Sequence, residues 1–238
     1  MSNKVKNPNE KSNGFLWALL IVLLLAVGLV GYIVVSGKSA KQEALLGDYQ
    51  KESVAFEAKL EDGAVVLKSD KATDSTPVVD LYEDFSCPAC ASLAEHSDAD
   101  MKKAIEDGKL VVNVRSLNFL DRGNNDGHST RAGTSAQKLA SAGEAEAYWN
   151  YRVFLMKQQS SIQGKWGLDD FASAASKLGS AESTVNAIQE GNQDDYLKAT
   201  QTNSKKLEGD IGNVSSPHVI YKGEDVPLEN WVETVVNG

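Results

Sequence analysis

The stretch PVVDLYEDFSCPAC, residues 77–90, constrains this chain more than any other. Pro77 opens it, and Val78, Val79, Leu81, Tyr82 and Phe85 supply the β-branched and aromatic density of a buried strand. It ends on Cys87 and Cys90, the two cysteines of the chain. The following ASLAEHSDADMKKAIEDGK carries Leu93, Met101 and Ile105 at helical spacing, with Gly108 as a stop. LVVNVRSLNFL, residues 110–120, reads as a second strand. Strand, helix and strand in this order form a βαβ unit, whose crossover makes the two strands parallel. A CxxC at the strand-to-helix junction puts its first sulfur at a helix N-terminus, where partial positive charge favours a thiolate, and its second one turn deeper. An inert structural disulfide is the alternative, but so small a ring removes little entropy from the unfolded chain. The coincidence of strand, CxxC and helix points instead to a redox pair.

Around this unit the chain changes character twice. Residues 36–75 are polar, with a helix-like stretch over 41–60 and a short strand at 64–68, and read as a tether plus an edge element. From Arg122 to about Gly212 no convincing strand occurs. Helical patterns cover 132–142, 144–159, 168–178, 181–190 and 194–208, broken by Gly143, Gly164 and Gly179. A strand returns at HVIYKG, and a helix over 228–236 closes the chain.

Composition narrows the function. With 238 residues, 42% of them apolar, the chain can bury one sizeable core or two small ones. The net charge of −9 disfavours a nucleic-acid partner. One CxxC with three scattered histidines, His96, His128 and His218, lacks the second ligand pair of a zinc site, so no metal is expected. His128 reads as a loop or capping residue, His96 as a surface one, and Trp149, Tyr151 and Phe154 as core. No serine-histidine-acid set and no phosphate-binding glycine loop stands out.

Residues 15–35, FLWALLIVLLLAVGLVGYIVV, contain no charge and match the length of a membrane-spanning helix, with Trp17 and Tyr32 near its ends as interfacial residues. Val35-Ser36-Gly37 would suit a signal peptidase, which keeps a long cleaved signal as the alternative. Lysines flank the run equally, so orientation rests on architecture: a short polar tail, one span and a long acidic domain form a signal anchor with the domain outside the cytoplasm. The expected domains are a cytoplasmic tail at 1–14, an anchor at 15–35, a tether at 36–61 and a folded domain at 62–238 with a helical insertion at about 122–212.

VVDLYEDFSCPAC, followed far downstream by VSSPHVIYKG with a helical block between, resembles the DsbA-like thiol-disulfide oxidoreductases. AYWNYRVFLMKQQ and LDDFASAASKLG in the inserted helices extend the likeness over about 62–236. The resemblance implies an α/β thioredoxin fold with an inserted helical domain, behind one transmembrane helix. By position it makes Cys87 the solvent-facing, attacking thiol and Cys90 the resolving one. It makes Pro217 a cis-proline facing the disulfide, and Ser216 a source of backbone hydrogen bonds to an extended substrate, with Pro88 and Ala89 beside it on the substrate-binding surface. Glu83 or Asp84 is a possible proton relay to Cys90. Strongly oxidising members carry His where this chain has Ala89, and Ser216-Pro217-His218 replaces the more usual Thr-Pro-Thr.

The function implied is the introduction of disulfides into exported proteins at the cell membrane. The redox-active disulfide itself would serve in place of a cofactor, and a membrane partner would reoxidise it. A reductase or isomerase on the same fold, or a non-catalytic module with a structural disulfide, are the alternatives.

Overall fold

The computed structural model describes residues 14–47 and 49–238, which divide into two compact units at Asp48. The first contributes one helix, α1 (Gly14–Gly47). Its side chains at 16–30 are all exposed, whereas Leu46 near its end is buried. Among the described residues no helix is long and apolar enough to cross a membrane. The side chains at 15 and 31–35, the ends of the uncharged run, lie outside the described residues, as does the tail at 1–13.

The second unit opens with strands β1 (Glu57–Glu61) and β2 (Ala64–Lys68), then β3 (Val78–Asp84), helix α2 (Pro88–Glu106) and strand β4 (Val111–Leu117). After a 3-10 turn at Phe119–Asp121 come α3 (His128–Ser141), α4 (Ala145–Lys157), α5 (Gln159–Ile162), α6 (Leu168–Lys177), α7 (Glu182–Glu190) and α8 (Asp194–Ile211). The hairpin β5 (His218–Tyr221) and β6 (Glu224–Asp225) and the helix α9 (Trp231–Asn237) complete it. The six strands lie in the order β1-β2-β4-β3-β5-β6. β3 and β4 are parallel, as a βαβ crossover demands, and the other pairings are antiparallel.

The helix-like stretch expected over 41–60 is corrected at both ends of its range: α1 stops at Gly47, and Glu57–Glu61 is the edge strand. EAKLE has helix-forming composition, but Ala58 opposite Leu67 and Leu60 opposite Val65 bury it on β2, and pairing overrides propensity. The strand expected over 110–120 ends at Leu117, where the chain tightens into the 3-10 turn.

Alternation along β3 sends Val79, Leu81 and Glu83 to one face and Tyr82 and Asp84 to the other. Tyr82 packs with Leu117, Leu207 and Ile220, so α8 covers that side. α2 packs on α4 and α9. Gly108 stops α2 with φ at +72°, and a Cβ there would come within 2.7 Å of the Lys71 backbone. The pairing of Tyr82 with His218 brings residues 215–217 alongside the end of β3, next to the cysteines.

Candidate active site

Cys87 is the N-cap of α2, and Pro88 takes the first helical position, where its fixed φ fits and its missing N–H is no loss. The cap makes no side-chain hydrogen bond. The unpaired N–H groups of Ala89 and Cys90 are therefore free to serve the sulfur. The Cys87 thiol is pulled down to about 5, chiefly by a hydrogen bond from the Cys90 thiol. Burial opposes this, while the backbone N–H groups of Ala89 and Cys90 assist it. The Cys90 thiol is pushed far up by the same hydrogen bond and by its own burial. One helical turn thus separates two thiols of opposite acidity.

Both cysteines are free thiols. Cys87 keeps 7% of its surface and Cys90 3%. The solvent-facing Cys87 implied by the resemblance is corrected to a largely covered one. Its cover includes Ser216, whose carbonyl oxygen accepts from Cys87 Sγ at 3.4 Å. The Ser216-Pro217 bond is cis. Pro217 and Ala89 line a cavity of about 600 Å³ with Leu93, Leu228 and Trp231, while Pro88 borders another of about 670 Å³ between α2 and α4.

The two carboxylates at the end of β3 have separate surroundings. Glu83 is buried against Arg152, with contacts of 2.9 and 3.1 Å from Nε and 2.6 Å from Nη2, and Arg152 Nη1 reaches Asp98 at 2.8 Å. Asp84 is fully buried on the other face, and that burial raises its carboxyl to about 6. Its Oδ1 accepts from Ser86 N at 2.8 Å and Ser129 Oγ at 2.5 Å, its Oδ2 from Leu120 N at 3.2 Å. Asp84 N lies 3.5 Å from Cys90 Sγ. Of the two relay candidates, Asp84 carries the raised carboxyl and meets Cys90 through its backbone N–H, its carboxylate being held by Ser86, Ser129 and Leu120, whereas the Glu83 carboxylate is occupied by Arg152.

Several residues around the site have no role assigned to them by the sequence, although Gln159, Ser215 and His218 lie in segments that carry the resemblance. Gln159 Nε2, on the helical insertion, donates to Phe85 O at 2.9 Å and Cys87 O at 3.0 Å. Ser129, also on the insertion, bridges Asp84 and the Ser86 hydroxyl, 2.7 Å away. A serine-histidine-acid set does form, contrary to the sequence reading: Ser215 Oγ lies 2.7 Å from His218 Nε2, and His218 Nδ1 lies 2.8 Å from Asp225 Oδ2. Ser215 Oγ also donates to Asn213 Oδ1 at 2.7 Å, so the set lashes the loop before Pro217 to the β5–β6 hairpin. His128 does not cap α3; Asp121 does, accepting from Ser129 N and Thr130 N. The His128 ring lies buried 5.8 Å from the Phe171 ring, and burial lowers its proton affinity to about 4. His96 is exposed, and Trp149, Tyr151 and Phe154 are core residues, as expected.

The thioredoxin family model matches residues 72–235. The MdbA protein of Corynebacterium diphtheriae, a thiol-disulfide oxidoreductase, is 50% identical with a TM-score of 0.77, over 79% of this chain and 97% of that one. The chain belongs to the DsbA-like thiol-disulfide oxidoreductases. A second member of the family, the MdbA protein of Corynebacterium matruchotii, is 44% identical with a TM-score of 0.79, over 83% and 99% of the two chains. Mycobacterium tuberculosis DsbA, at 22% identity and a TM-score of 0.57 over 74% and 93%, shares the DsbA-like fold. Among curated proteins, the serine/threonine-protein kinase PknE of Mycobacterium tuberculosis is 24% identical over 165 residues. That match takes in 67% of this chain, which spans about 28% of the length of those curated relatives.

Proposed function

We propose that this chain is a membrane-tethered protein thiol-disulfide oxidoreductase that introduces disulfides into exported proteins. The observation that carries the reading is the opposed acidity of Cys87 and Cys90. In the oxidised enzyme, a substrate thiolate attacks Cys87 Sγ. The Cys87–Cys90 bond breaks, and its electron pair leaves on Cys90, which takes up a proton. A second substrate thiolate then attacks the substrate sulfur of the mixed disulfide and expels Cys87 as a thiolate. The substrate has lost two electrons and the enzyme has gained them. A thiol as acidic as Cys87 leaves readily, which favours donation of the disulfide.

Asp84 is the relay that supplies and removes the Cys90 proton, a role its raised acidity range suits. Ser216, Pro217, Pro88 and Ala89 form the surface on which an extended substrate lies. The Cys87/Cys90 disulfide is the sole redox group in this scheme, so a membrane redox partner must reoxidise it. The uncharged run at 15–35 supports a single-pass anchor, with the tail 1–14 in the cytoplasm and the domain 62–238 outside, joined by the tether 36–61.

Cys90→Ser tests the mechanism, because it removes the thiol that releases Cys87 from a trapped substrate. Cells producing the variant should accumulate higher-mass adducts on denaturing, non-reducing gels, and Cys87→Ser should abolish them. A Cys90→Ser lane without adducts would contradict exchange through Cys87.

A further inference from the structure

Gln159 stands 69 or more positions from the redox segment in sequence, yet its side chain closes onto that segment. It is 4% exposed and begins α5 in the helical insertion. Both groups it meets, Phe85 O and Cys87 O, are carbonyl oxygens, which can only accept. The amide must therefore present its nitrogen to them.

Cys87 O also accepts the first bond of α2, from Ala91 N at 3.2 Å. Gln159 adds a second donor to the same oxygen and so fixes the peptide that follows the Cys87 Cα. The cap makes no side-chain bond, so the backbone at Cys87, together with the Ser216 carbonyl 3.4 Å from Sγ and the neighbouring Cys90 thiol, sets where the sulfur lies at the helix N-terminus. Cys87 holds φ at −88° and ψ at 113°, and ψ sets where that carbonyl points. The loop is gripped from its other side by Ser129, through Ser86 and Asp84.

We propose that Gln159 is a positioning residue for thiol-disulfide exchange: by holding the Cys87 carbonyl, it keeps the sulfur on the helix N-terminus and makes the inserted domain part of redox tuning. This rests on the reading of Cys87 as the attacking thiol.

The test uses the full chain in detergent with two variants. Gln159→Met keeps the volume and removes the donors; Gln159→Glu keeps the shape and sets a carboxylate against two carbonyls. Thiolate absorbance against pH and equilibration against glutathione are read beside thermal unfolding. Losing one oriented hydrogen-bonding arrangement should cost Gln159→Met about tenfold in the thiolate-to-thiol ratio of Cys87. The same factor in the glutathione equilibrium makes the couple about 30 mV more reducing. Gln159→Glu should shift at least as far in the same direction. Variants that unfold earlier but keep both quantities within twofold of wild type would overturn the proposal, as would failure of both to fold, since Gln159 would then hold the fold and not the sulfur. A wild-type Cys87 that titrates as an ordinary thiol would instead strike the reading of the site.

Discussion

Asp84→Asn should make the folded domain more stable and the enzyme slower. Burial raises the Asp84 carboxyl from its ordinary 3.8 to about 6. At 1.36 kcal/mol per tenfold, the charged form costs the fold about 3 kcal/mol. The folded state binds the Asp84 proton more tightly than the unfolded chain does. The cost is therefore present in full above about pH 6 and is relieved as pH falls from about 6 towards 3.8. An amide escapes it but turns one N–H group on a donor, with Leu120 N at Oδ2 and Ser86 N and Ser129 Oγ at Oδ1. That mismatch offsets about 1 to 2 kcal/mol. A net gain of about 1 to 2 kcal/mol at pH 7.5 corresponds to a Tm rise of about 2 to 8 °C for a domain of this size. Thermal unfolding of reduced wild type and variant, run at pH 7.5 and pH 4, reads the gain and its disappearance in acid. Single-turnover closure of the Cys87–Cys90 disulfide should slow in the same variant. A variant less stable at pH 7.5, a gain that persists at pH 4, or unchanged closure would refute the reasoning.

In the reduced protein, Cys87 should be alkylated at a rate that stays level above pH 6 and falls about tenfold per pH unit well below 5, with Cys90 slower throughout; equal rates, read by mass spectrometry, would contradict the assigned roles. Arg152→Met should destabilise the domain by about 3 to 5 kcal/mol in denaturant, because it strands Glu83 and Asp98 in the interior without their cation. A loss below about 1 kcal/mol would show that the charges are compensated elsewhere.

The parts of this fold that the sequence displayed are those encoded within a few turns of chain. Val78 to Cys90 reads as a strand and a helix start because composition and the CxxC act locally, and the glycines mark breaks between the inserted helices. β1 does not read as a strand because Glu57, Ala58, Lys59 and Leu60 favour helix in isolation and become a strand only by pairing with β2. β6 spans two residues and exists through β5. The same limit separates the thiols from their supports. Arg152 meets Glu83, Ser129 meets Asp84 and Gln159 meets Cys87 across 45 to 72 positions, and no local pattern encodes such contacts. The Ser215, His218 and Asp225 set has no local pattern because only the antiparallel return of β6 brings Asp225 to the ring. Glu83 and Asp84 are neighbours in sequence, and strand alternation alone sends one to Arg152 and the other to Ser129.

The direction of electron flow depends on how far the protein stabilises the reduced pair. A Cys87 thiol near 5 lies between the values of about 7 for thioredoxin and 3.5 for DsbA. The reduction potential of the Cys87/Cys90 couple, measured by equilibrating the full chain against glutathione, should accordingly fall between about −270 mV and −120 mV. A potential inside that interval is the result expected of a disulfide donor; one at or below about −270 mV would contradict the oxidase reading and make the chain a reductase.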